Sequence, residues 1–174
     1  MWKKEPAHPT VSLPNALQKV TLLREAFGSA DIELAEAFVC WGCKPRSQEG
    51  SDLVDTLESY GLIRCLDSDG ERLLRISHTT KRDYLDEQAT REQRSRAIQR
   101  FALKPAIYQV IWERWAFELP QDEEVERFLE KDMGYSARTS QKLVRDYRAT
   151  IDLARTHGLR VSRVNRGNTV VENT

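Results

Sequence analysis

Three cysteines in 174 residues are too few for a disulfide scaffold. Long apolar stretches are missing too. The longest unbroken run is the five residues Ala37–Trp41, against roughly 20 needed to cross a bilayer, so no membrane is expected. The N-terminus has no signal-peptide core, because Lys3 and Lys4 lead straight into Glu5-Pro6; cytoplasmic placement is the expectation. No nucleophile elbow, phosphate-binding glycine loop or metalloprotease helix appears. Histidine is scarce as well, with His8, His78 and His157 scattered along the chain. These gaps point away from an enzyme and from any cofactor. There is no internal repeat or low-complexity tract.

What remains is charge, at 31% of residues, with a net of zero. The zero hides alternation. Residues 1–30 carry +2, 31–70 carry −6, 71–104 carry +4, 105–135 carry −5 and 136–174 carry +5. Such blocks either neutralise one another inside a fold or give one basic face that attracts phosphate.

Residues 1–12 hold Pro6 and Pro9 without periodicity and are expected to form a flexible arm. Leu13, Ala16, Leu17, Val20, Leu23 and Phe27 then make one helical stripe, with Ser12 as cap and Gly28 as stop. A second helix is predicted from Ser29 or Asp31 through Cys40, with Ile32 inward. A third starts at Ser47 or Ser51 and runs to Tyr60, stopped by Gly61. Two short apolar segments around Asp69-Gly70 predict a β-hairpin. Three helices followed by a hairpin is the order of a winged-helix domain, assigned here to residues 13–87. Residues 88–158 read as a helical domain. Its predicted helices run from Thr79 or Thr80 to Glu87 at the junction, over Thr90–Leu103, from Pro105 to a break at Leu119-Pro120, over Asp122–Met133, and from Ser136 to His157. Residues 159–174 read as a disordered basic tail. The fold class is mainly α, a winged-helix unit followed by a helical bundle.

Residues 14–158 also resemble an uncharacterised family of bacterial winged-helix proteins. The likeness lies in Tyr60-Gly61-Leu62-Ile63, Pro105-Ala106-Ile107-Tyr108, Leu119-Pro120-Gln121-Asp122-Glu123 and Tyr147-Arg148-Ala149-Thr150 with Ala154. These are packing and capping residues. The resemblance implies a fold and brings no catalytic residue with it.

Several surfaces are candidates for contact. A winged helix places its third helix in the DNA major groove, yet here that helix carries Glu49, Asp52, Asp55 and Glu58, with only Lys44 and Arg46 before it. The wing mixes Arg64, Arg72 and Arg75 with Asp67, Asp69 and Glu71, acids better explained as a polar turn than as metal ligands. The predicted helices on either side of Gly134 have helix-turn-helix spacing. On the second of them Arg138, Lys142, Arg145 and Arg148 fall within about 120° of one another, and Thr139 and Gln141 suit base edges. The plainer reading is a solvated face paired with the acidic helix before it. Arg91, Arg94, Arg96, Arg100 and Lys104 form a third basic group, most simply a solubility feature.

Cys40-Trp41-Gly42-Cys43 sits at a helix end rather than a helix start, which argues against a redox motif. With Cys65 and His78 it could supply four zinc ligands, but without paired spacing in its second half; packing cysteines are the simpler reading. The expected function is a non-enzymatic regulator bound to double-stranded DNA. The alternative is a protein–protein adaptor using the acidic third helix. A homodimer is admissible, although no heptad seam supports one.

Overall fold

A computed structural model describes residues 4–162. The described chain is mostly helical, with one small antiparallel sheet. Helix α1 spans Leu13–Phe27, with Pro14 in its first turn. Ser12 occupies the cap position but makes no side-chain capping bond. Residues 32 and 33 depart from expectation. Ile32–Glu33 is a short strand, β1, and helix α2 begins only at Leu34, ending at Cys40. The cause is tertiary: Ile32 is fully buried opposite Leu74, and Asp31 grips Arg75 through two bonds of 2.7 and 2.8 Å. A β-branched residue with a strand partner leaves the helix its local pattern suggested.

Helix α3, Gln48–Ser59, is capped by Ser47, whose hydroxyl accepts from the amide of Gly50. Gly50 is required, because a Cβ there would enter the ring of Phe38 on α2. The hairpin forms as predicted. Strands β2, Ile63–Ser68, and β3, Glu71–Ile76, are joined through Asp69 and Gly70 at φ 51° and 83°, the left-handed pair an Asp-Gly turn supplies. The sheet order is β1-β3-β2, all antiparallel.

The helix predicted to run to Glu87 is instead a π-helical turn, Thr80–Leu85. Helix α4, Arg91–Ala102, starts in a capping box between Thr90 and Gln93. Helix α5, Ala106–Trp115, stops short of the predicted break at Leu119-Pro120. Ala116 turns to φ 51° there, and its carbonyl accepts the Tyr147 hydroxyl at 3.0 Å. Helix α6 is Asp122–Lys131, two residues shorter than predicted, and α7, capped by Ser136, is Ala137–Thr156.

The expected division at residues 87 and 88 does not divide the core. Buried side chains from both halves belong to one cluster. Tyr60 from the first half packs at a tilt against Tyr108 on α5, which meets Tyr147 on α7 edge-on with ring centres 5.4 Å apart. The Leu13 amide donates to the Thr150 hydroxyl, tying the start of α1 to α7. The expected loose arm is also held: Thr10 donates to Thr56 Oγ1, and Tyr135 donates to the carbonyl of Ala7. At the other end Leu159 is buried and its amide bonds Ala154, so the expected tail starts inside the fold. Residues 163–174, with Arg163 and Arg166, lie outside the described residues.

Candidate interaction surfaces

On α3 the periodicity that buries Leu53, Val54 and Leu57 turns Glu49, Asp55 and Glu58 outward, with Asp52 half-buried beside them. None of these four forms an ion pair among the described residues. Asp52 accepts from Gln48, and Glu58 accepts from the amide of Cys65. Lys44 and Arg46 are exposed in the loop before α3, where Arg46 holds φ 57°. The helix itself therefore shows carboxylates, which phosphates in a groove repel.

The other predicted contact residues are scattered in role. Arg75 is forked onto Asp31, and Arg72 faces Asp67 across the hairpin. On α7 the residues group as the helical wheel requires, with Arg138, Gln141, Lys142 and Arg145 all exposed. Their neighbours change what they offer. Arg148 is held by Asp122 at 2.6 Å and by the carbonyl of Pro120 at 3.2 Å. Arg145 lies 3.4 Å from Asp146. Thr139 donates to Glu5 at 2.9 Å, while the Ser136 amide donates to the same carboxylate at 2.7 Å. Ser136 and Thr139 hold that carboxyl below its usual value. An acid from the arm thus occupies the helix start assigned to base edges, where the α7 dipole favours it. Arg138 and Lys142 alone of the predicted α7 cations keep no acidic partner among the described residues. Glu5 escaped sequence reasoning because 131 residues separate it from Ser136.

The blocks of alternating charge meet in both ways. Acidic α6 packs along basic α7, and Asp31 takes Arg75, but basic α4 also packs on α7. The α4–α7 contact is closed by Gln99, which donates to the His157 carbonyl, and by Ser95 with the His157 ring.

The cysteines do not converge on a metal site. No three of His, Cys, Asp or Glu gather around a common point among the described residues. Cys40, Cys43 and Cys65 are free thiols. Burial pushes all three up, Cys65 to about 12 with help from Glu58, which suits packing and opposes thiolate chemistry. No helix in the described residues is long and apolar enough to cross a membrane. Set against family models, curated proteins and solved structures, the chain matches none of them.

Proposed function

We propose that this chain is a non-enzymatic interaction protein, in which residues 13–76 form a winged-helix unit that presents its acidic third helix to a basic protein partner. Support for the unit comes from the order α1-β1-α2-α3-β2-β3 with the sheet order β1-β3-β2. The observation that carries the partner assignment is the outward half of α3, where Glu49, Asp52 and Asp55 fall within about 120° of one another and Glu58 follows beside them, with no cation bound to the four among the described residues. Complementary charge at such a face steers encounter and selects partners. The test is calorimetric titration with a lysine- and arginine-rich peptide at low and high salt. Binding should weaken as salt rises and should be lost in the triple variant Glu49→Gln, Asp52→Asn, Asp55→Asn. A parent protein that ignores the peptide overturns the assignment.

A second reading, double-stranded DNA held by α7, is favoured by Arg138 and Lys142 with Gln141 between them, all exposed. Charge reversal at Lys142 and Arg145 should then reduce the salt dependence of duplex binding. An unchanged dependence removes α7 from consideration.

A further inference from the structure

Away from the outward face of α7, the π-helical turn and the C-terminal end of α4 border the base of the hairpin beside Glu58 of α3. Three depressions run together there. Arg82, Arg96 and Arg100 line the first, a groove of about 850 Å³. Arg100 also borders the second, with Lys104, and Lys104 borders the third beside Arg64 and His78. Arg100 and Lys104, as shared walls, therefore set the three depressions side by side as a track. Along it stand five cations against two lining acids, Asp83 and Glu58, while Arg96 pairs with Glu92 at a largely exposed position where such a pair is weak and competes poorly with a phosphate.

The acid in the middle organises the cations more than it cancels them. Asp83 is buried, and its carboxylate accepts from Arg82 through two nitrogens at 2.6 and 2.9 Å and from Arg100 at 3.1 Å. Those three hydrogen bonds hold two guanidinium groups side by side. One N–H of Arg100 is engaged, and the rest of its planar fork is left for a ligand. Arg82 and Asp83 sit on the π-helical turn, a rare backbone form that is frequent at functional sites, and Arg100 reaches them from α4. Lys104 is positioned by a different device. Its side chain lies across Gly61 at φ 78°, where an added Cβ would come within 2.7 Å of Nζ. Among the described residues Lys104 forms no ion pair.

Ligand class follows from what lines the track. Arg96 and Arg100 stand about 6 Å apart along α4, a separation comparable to that of successive phosphates on one strand. The aromatic rings lining the second depression, Tyr60 and Phe101, are buried in the core, and the exposed ring of the third is the single imidazole of His78. Single-strand binders use rows of exposed rings on which successive bases stack, and apart from the one imidazole of His78 the polar lining here offers guanidinium, ammonium and amide groups. We infer that the track binds the sugar–phosphate backbone of a nucleic-acid duplex, without reading its bases. This site meets the α3 acids only at Glu58 and contains neither Arg138 nor Lys142, so the variants below distinguish it from both readings above.

The test is fluorescence anisotropy of the full chain with a labelled duplex of random sequence, titrated across salt. The double variant Arg96→Gln, Lys104→Gln leaves the Asp83 clamp intact. Its log–log salt slope should fall by about 2, since each lost phosphate contact removes about 0.9. Lys104→Glu alone gives the same direction at an exposed residue without an ion pair, so loss of fold does not mask the result. Lys142→Gln with Arg145→Gln should leave the slope unchanged. The inference is overturned if the parent fails to bind duplex at low salt, if the groove variants keep the parental slope, if the slope falls only in the α7 variant, or if a single strand of the same length binds as tightly as the duplex.

Discussion

Helices α3 and α7 are built alike and end up offering different things. Each is capped by a serine, Ser47 or Ser136, and each buries one stripe while carrying mainly one sign of charge outward. On α3 the charge survives folding, because among the described residues its outward carboxylates form no ion pair, and Asp52 and Glu58 take neutral donors. On α7 much of the charge is answered. Asp122 takes Arg148, Asp146 takes Arg145, and Glu5 takes the helix start. A helix's charge in sequence is thus an upper limit on the charge it shows a partner. What lies beside it decides the remainder.

The strongest way to break the comparison is through the buried stripes, which the two helices are said to share in one core. Tyr147→Ala should cost about 3–5 kcal/mol, by analogy with large aromatic truncations, and Leu57→Ala on α3 about 2–5 kcal/mol. Both losses should appear in urea unfolding as shifts of a single transition, followed by fluorescence of the four tryptophans and by far-UV circular dichroism. Two transitions, each moved by one variant, would mean that α3 and α7 belong to independent units.

Next in size is Asp146. It is buried on α7, its Oδ2 lacks a hydrogen-bond partner among the described residues, and burial pushes its carboxyl up from 3.8 despite the nearby Arg145. A raised carboxyl contributes stability below its unfolded value, and that contribution disappears as pH climbs through the folded value. At neutral pH the charged form is the unfavourable one. Asp146→Asn should therefore raise stability by about 1 kcal/mol at pH 7, with the gain shrinking on acidification in thermal melts at several pH values. A destabilised variant at pH 7 would show that the charge is needed for Arg145.

Glu5 sharpens the comparison with the opposite sign. Its carboxyl is lowered by Ser136 and Thr139, so its contribution is present above the unfolded value of 4.5 and is lost as pH falls through the lower folded one. Glu5→Gln should cost about 0.5–1 kcal/mol at pH 7, the scale of a helix cap, and little at strongly acidic pH. It should also make the amides at the start of α7 exchange faster with deuterium, with no change in α3. The smallest effect belongs to Arg148→Ala. Its pair with Asp122 is about half exposed, so stability should move by less than about 0.5 kcal/mol.

Periodicity and capping residues were enough to mark α1, α3, α4 and α7 and the Asp69-Gly70 hairpin, because those signals act over three or four residues. The same local logic misplaced the start of α2. Nothing near Ile32 announces that Leu74 will offer it a strand. It also overran α5, since the turn at Ala116 answers to Tyr147, and it missed the π-helical turn, which is held by Asp83 with Arg100 and by Ser77 and Thr80 against Gly61. The candidate surfaces divide along the same line. That Glu49, Asp52 and Asp55 fall within about 120° of one another on α3, with Glu58 about a further 60° round the outward half, is a property of helical geometry, and so is the grouping of Arg138, Gln141, Lys142 and Arg145 on α7. Pairings across the chain lie beyond that geometry: Glu5 with Ser136, Asp31 with Arg75, Asp122 with Arg148, and Lys104 with Gly61. Sequence by itself determined where the chain becomes helix and which residues can stand together on a helix face, because both follow from the 3.6-residue repeat. Only the tertiary structure decided which of those charges remain unanswered, because a charge is neutralised by whichever element packs against it, however distant in sequence.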